Sequence, residues 1–124
     1  MKYQIEKSEL YTLFTLEEEK LDSTLSPELK SEMIALQTQG TKNLILNLSR
    51  TKYADSSGLS ALLTGNRTYS ETGGAFILSE ITPFVEKLLT ISQLNNVLTI
   101  LASDEAAKDL VLANSPEDEW SFEH

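Results

Sequence analysis

Apolar positions change rhythm several times along the chain, and each rhythm predicts an element. Leu10-Tyr11-Thr12-Leu13-Phe14-Thr15-Leu16 is dense in aromatic and β-compatible side chains, which predicts a strand paired with a short one at Tyr3 to Lys7. Glu17-Glu18-Glu19-Lys20 then breaks the pattern, as a solvated turn does. Leu25, Leu29, Met33, Ile34 and Leu36 recur at helical spacing before Gly40, and Asp22-Ser23 and Ser26-Pro27-Glu28 supply helix-start chemistry ahead of them. Asn43-Leu44-Ile45-Leu46-Asn47-Leu48 is short and almost continuously apolar, which suits a strand covered on both faces. Beyond a loop from Ser49 to Asp55, Leu59, Leu62, Leu63 and Tyr69 predict a second helix that stops near Gly73-Gly74. Ala75-Phe76-Ile77-Leu78 follows as a buried strand, then Pro83 to Ile91 as a third helix and Val97 to Leu101 as a strand. Ser103-Asp104-Glu105 opens a last helix running through Leu112.

The predicted order is β-β-α-β-α-β-α-β-α. It corresponds to an α/β fold with a mixed, mostly parallel sheet of about five strands and about four helices. Its 124 residues suit one domain, placed at 1–114, with 115–124 as an acidic, flexible tail opened by Ser115-Pro116. Trp120 and Phe122 sit in that tail, where a docking peptide and a plain disordered terminus are alternative readings. In sheets of this kind sites form beyond the carboxyl ends of the strands, which singles out the loop after Leu48.

Charge narrows the functions. Acidic residues number 19 against 10 basic ones, a formal net charge of −9. Such a surface repels nucleic acid and anionic lipid, so any charged partner is expected to be basic. There is no cysteine, and the one histidine is His124 at the end of the chain. Thiolate catalysis, disulfides, a serine–histidine relay and a multi-histidine metal site are therefore excluded, and neither metal nor cofactor is expected. The absence of a long apolar run predicts a cytoplasmic protein that does not enter a membrane.

The loop reads Ser49-Arg50-Thr51-Lys52-Tyr53-Ala54-Asp55-Ser56-Ser57-Gly58-Leu59. Two hydroxyls, a carboxylate and a glycine stand where a strand hands over to a helix, and the free amides there favour an anion, including a phosphate carried by one of the protein's own serines. Gly58 is expected to leave the helix start uncluttered, so that a partner's backbone can approach. Ordinary helix capping, worth about 1 kcal/mol per residue, accounts for the same residue types. Asn47 is either a tether for the loop or a plain strand-end residue.

Asp55-Ser56-Ser57-Gly58-Leu59 after a buried strand resembles the D-S-S-G-L signature of STAS domains, specifically bacterial anti-sigma factor antagonists. Leu21-Asp22 is similar to the family's L-D before its first helix, and Gly73-Gly74 and Thr82-Pro83-Phe84-Val85-Glu86-Lys87-Leu88 match later landmarks, so that the likeness covers roughly residues 3 to 113. The resemblance implies a regulator without enzymatic activity. It implies that Ser56 is phosphorylated by a partner that is both a serine kinase and an anti-sigma factor, that the unmodified protein binds this partner, and that a phosphatase restores binding. Asp22, Asp55, Ser56, Ser57, Gly58 and Leu59 become the partner-binding residues. Two family glycines are replaced: Glu19 stands two residues before Leu21-Asp22, and Gln93 precedes Leu94.

Other classes fit less well. A non-phosphorylated STAS interaction or scaffold module is the alternative. A receiver domain would place its phospho-accepting aspartate near Asp55, yet the first strand offers no acidic pair for Mg²⁺, Ala102-Ser103 follow the last strand, and Lys108 falls inside a helix. Hydrolysis by Ser56 would need Lys52 as its base, and a solvated structural lysine accounts for that residue better. No phosphate-binding glycine motif occurs. The sequence leaves the oligomeric state open.

Overall fold

Alternate residues of each central strand must find apolar cover on opposite faces of a sheet, and this protein meets the requirement unequally. The computed structural model describes residues 1–114. The expectations for 115–124, Trp120, Phe122 and His124 among them, lie outside the described residues. Five strands, β1 (Tyr3–Lys7), β2 (Thr12–Leu16), β4 (Leu44–Asn47), β6 (Phe76–Ser79) and β7 (Thr99–Leu101), form the main sheet in that spatial order. Only β1 and β2 are antiparallel; every later pairing is parallel. Phe14 and Leu16 of β2, Leu44 and Leu46 of β4, and Phe76 and Leu78 of β6 pack with α1 (Ser26–Thr38), α2 (Ser56–Glu71) and α3 (Pro83–Ile91). The intervening Leu13, Ile45 and Ile77 meet Ala107 and Val111 of α4 (Asp104–Ala113). That two-sided cover is why β4 and β6 look continuously apolar in sequence.

The large core is pinned at one polar point. Tyr69 is fully buried in it, and its hydroxyl donates to the Met33 carbonyl oxygen at 2.8 Å, tying α2 to α1. Burial holds its phenol far above the usual range. Gly65 lets the same helices close together, because a Cβ there would press into the Phe76 ring and the Met33 sulfur.

Three local expectations change. The helix-start residues Asp22 and Ser23 do not cap α1, which begins at Ser26 behind Leu25 with no side-chain cap. The acidic run and the loop after β4 are joined by a small parallel pair, β3 (Lys20–Leu21) with β5 (Tyr53–Ala54). The last strand starts at Thr99 rather than Val97, because a 3-10 turn at Leu94–Asn96 takes up the chain before it. Gln93, which opens that turn, is in the left-handed region at φ 62°.

Candidate functional site

Four strands of the main sheet run in one direction, so the segments that leave β2, β4, β6 and β7 gather along one edge. The segment after β4 is tied down there by its own backbone and side chains. The amides of Lys52 and Tyr53 donate to the Glu19 carbonyl at 2.8 and 3.1 Å, and the Thr51 hydroxyl donates to the Glu18 carbonyl at 2.9 Å. The Thr82 hydroxyl, at the start of α3, donates to the Thr51 carbonyl at 2.7 Å. Asn47 sets the beginning of the segment, its Oδ1 accepting from the Ser49 amide at 2.8 Å. Of the two readings of Asn47, the tether is the one the structure shows.

Asp55 ends the segment as the N-cap of α2. One oxygen of its carboxylate accepts from the Gly58 amide at 3.0 Å and from the Ser57 hydroxyl at 2.6 Å. Those bonds, the Ser57 hydroxyl first, hold its carboxyl below the usual carboxylate range. Asp22 stands beside it on the β3–α1 turn, close enough for the two carboxylates to repel. The Asp22 carboxylate accepts from the Thr24 hydroxyl at 2.6 Å and the Thr24 amide at 3.0 Å, which lowers its pKa in the same way. The predicted Leu21-Asp22 and Asp55-Ser56-Ser57-Gly58 segments thus converge, although Asp22 organises a tight turn and not a helix start.

The two serines differ. Ser57 is half-buried and committed: its proton goes to Asp55, and its oxygen lies 3.2 Å from the Ser26 hydroxyl, which itself donates to the Asp22 carbonyl. Ser56 is exposed at the first position of α2, and its hydroxyl has no hydrogen-bond partner among the described residues. A helix start carries unpaired amides and partial positive charge, so an anion on Ser56 is tolerated there.

Gly58 requires a correction. It is buried, and a Cβ built on it would collide with the Leu21 carbonyl oxygen and touch the Leu21 side chain. The backbone that approaches it closely is the chain's own, so Gly58 fastens α2 to β3 and leaves no opening for a partner. Leu59 is half-buried against the large core.

Two aromatic residues not expected from the sequence flank the site. Tyr53 on β5 and Phe84 in the first turn of α3 stack with ring centroids 6.0 Å apart, although both are substantially exposed, at 44% and 50%. Nothing local in the sequence predicts their meeting, because the Thr51–Thr82 contact that joins their segments spans 31 residues. Next to Asp22, an open depression of about 410 Å³ is lined by Glu17, Glu18, Glu19, Lys20 and Leu25 among others. With Asp22 its lining has four carboxylates against Lys2 and Lys20, a balance that favours a basic occupant. Lys52 is exposed and paired with Glu19 at 3.6 Å, and Lys108 on α4 pairs with Glu6 at 3.5 Å. No helix among the described residues is long and apolar enough to cross a membrane.

A family model described as the STAS domain matches residues 2–107. BtrV of Bordetella bronchiseptica, which carries an anti-sigma factor antagonist name, is 28% identical over 87 residues, spanning 70% of this chain and 75% of that protein. The anti-sigma factor antagonist SpoIIAA in its unphosphorylated form superposes with a TM-score of 0.76 at 24% identity, over 92% of this chain and 99% of that one. The Bacillus cell fate determinant SpoIIAA in its phosphorylated form gives 0.68 at 22% identity, over 88% and 99%. The architecture described above is therefore that of a known fold, and the chain belongs to the STAS domain family.

Proposed function

We propose that the protein is an anti-sigma factor antagonist that binds an anti-sigma factor with serine kinase activity and loses that partner when Ser56 is phosphorylated. A phosphatase would then reset it. The observation that carries the reading is the contrast between the two adjacent hydroxyls, Ser57 engaged with Asp55 and Ser56 exposed and unengaged at the start of α2. A kinase needs an accessible and unengaged oxygen, which fits the exposed Ser56 better than Ser57, half-buried and bonded to Asp55. The likeness to a named antagonist of the family adds to this, as does the existence of SpoIIAA in both phosphorylation states.

The contact surface proposed comprises the Asp22 turn, the Asp55–Leu59 start of α2 and the neighbouring Tyr53–Phe84 stack. Asp55 and Ser57 hold the turn, Gly58 anchors it from beneath, and Ser56 carries the switch. Exposed aromatic residues beside a polar turn are typical anchors of protein interfaces. A phosphoserine adds about −1.5 to −2 charges, next to Asp22 and Asp55 and on a chain already at −9. Within a close contact that charge opposes binding, while the helix start keeps the fold itself tolerant of it.

Incubation with the partner kinase and ATP, followed by intact mass and site mapping, tests the reading together with partner affinity before and after modification. One added phosphate on Ser56 and loss of affinity are expected. An unmodified Ser56 with intact binding would leave the scaffold module as the function, and unchanged affinity after modification would overturn the switch.

A further inference from the structure

The outer flank of α2 carries a lysine contact that neither the fold nor the cap explains. Lys30 of α1 donates from Nζ to the Ser60 hydroxyl at 3.2 Å. The pairing continues the alignment of the two helices, one turn below the Ser26–Ser57 contact. Ser60 is exposed, and a bond from an ammonium to a surface hydroxyl contributes little to stability. Lys30 lies within 4.0 Å of no carboxylate among the described residues, unlike Lys52 and Lys108.

The position of Ser60 gives that contact a direction. Ser56 and Ser60 are four residues apart in one helix, so their Cβ atoms are neighbours on one face, about 5–6 Å apart. Ser57 is turned toward α1 and Gly58 toward the core, which leaves Ser56 and Ser60 side by side on the outward flank. A phosphate on Ser56 projects further from the helix than the hydroxyl does. Its neighbours would include Asp55 and, beside that residue, Asp22, which repel it; of the cations, Lys20 acts on Asp22 and Lys30 on Ser60. Of these two cations, Lys30 already rests on the face that carries Ser56.

We propose that Lys30 receives the phosphate of phosphorylated Ser56, leaving the Ser60 hydroxyl by rotation of its own side chain. The ammonium then holds the phosphate on the α1 flank and offsets part of its repulsion by Asp22 and Asp55. Lys30 is a positioning residue for the modified state and has little work in the unmodified one. This inference rests on the phosphorylation reading above, and its test is built so that either can fail alone.

Phosphoserine is placed at position 56 of the full chain by genetic encoding, so kinase recognition does not enter. The phosphate is then titrated by phosphorus NMR in the wild type, Lys30→Met and Lys30→Arg. An adjacent cation favours the dianion. Lys30→Met is therefore expected to raise the second titration midpoint by about half a unit, a roughly threefold change in the monoanion–dianion balance, with Lys30→Arg staying at the wild-type value. Phosphorylation should also lower the melting temperature more in Lys30→Met than in wild type. Equal midpoints in wild type and Lys30→Met would overturn the proposal. Ser60→Ala covers the case in which a Lys30 variant folds poorly: it frees the ammonium from its competing contact, so the midpoint should fall, and an unchanged or raised midpoint would refute the assignment. Failure of the kinase to modify Ser56 would remove the switch without touching this titration.

Discussion

The starts of α2 and α4 are built from the same local chemistry and used in opposite ways. α2 follows β5 of the small parallel pair and α4 follows β7 of the main sheet, and each has an oxygen side chain accepting from the amide three residues on: Asp55 from Gly58, and Ser103 from Ala106 at 3.1 Å. At α4 the first helical residue turns inward. The Asp104 carboxylate accepts from the Asn47 side-chain Nδ2 at 2.9 and 3.0 Å and from the Ser79 hydroxyl at 2.6 Å, joining the ends of β4 and β6. At α2 the first helical residue, Ser56, is exposed, and its hydroxyl has no hydrogen-bond partner among the described residues. Caps alone therefore do not identify a site. The distinguishing feature is a reactive group that the fold leaves idle.

The largest effect should separate these two starts cleanly. Ser56→Glu places extra bulk and an unpaired charge in the proposed contact, where taking that charge out of water costs several kcal/mol. Partner affinity should fall by at least roughly 100-fold, while the melting temperature stays within about 2 °C. Calorimetric titration with the anti-sigma factor and a thermal melt check both halves. A stable protein with undiminished affinity would remove α2 from the interface.

Asp104→Ala should do the reverse. Asn47 and Ser79 are 4% and 0% exposed and would lose their shared acceptor. Stranded buried donors cost about 1–3 kcal/mol each, and partial rehydration at the edge of Asp104 makes about 2–4 kcal/mol a reasonable total. For a domain of this size that lowers the melting temperature by about 10 °C. Asn47 also holds the Ser49 amide, so backbone signals of residues 49–52 should shift in NMR spectra while Ser56 stays accessible. A melt unchanged from wild type would mean that the two helix starts are equally dispensable to the fold.

Gly58→Ala tests whether the α2 start is structurally as idle as Ser56 is. Alanine favours a helix by up to about 1 kcal/mol over glycine, but its Cβ collides with the Leu21 backbone. Overpacking against backbone costs about 1–3 kcal/mol, so net destabilisation is expected, with weaker partner binding because β3 carries the adjoining Asp22 turn. A gain in stability would show that Leu21 moves aside freely.

Much of this was legible in the sequence because two-sided burial leaves a strong imprint. The runs Leu44 to Leu48 and Phe76 to Leu78, separated by helical spacing, fix the order of the elements, and the loop after Leu48 follows from strand direction. What escaped were features that depend on distant segments. The β3–β5 pair is two residues long and has no periodicity to detect. Gly58 looks like an opening until Leu21, 37 positions earlier in the chain, is seen to fill it. The Tyr53–Phe84 stack depends on the α3 start docking on Thr51. The two replaced family glycines also diverge in meaning. Glu19 sits in ordinary backbone, whereas Gln93 at φ 62° adopts a conformation that glycine takes without strain.

The smallest effect concerns acidity, and it follows from the different caps. Asp55 titrates and Ser103 does not. Hydrogen bonds from Ser57 and Gly58 favour the Asp55 carboxylate in the folded state, so its pKa there lies below the unfolded value of about 3.9. A depressed carboxyl stabilises the fold above its unfolded pKa, and that stability is lost as pH falls through the lower, folded value. Asp22, depressed by its bonds from Thr24, should follow the same course and loosen the adjoining turn. Amide exchange measured from pH 5 downward should therefore show the Gly58 N–H losing protection below the ordinary carboxylate range. The Ala106 N–H, held by the Ser103 hydroxyl, which does not ionise, should not follow that loss. Asp55→Ser, which substitutes a cap that cannot ionise, should flatten the pH response at Gly58 and leave Ala106 unchanged. If both amides lose protection together in the wild type, acid is acting on the whole fold, and the α2 start has no independent behaviour for a phosphate to exploit.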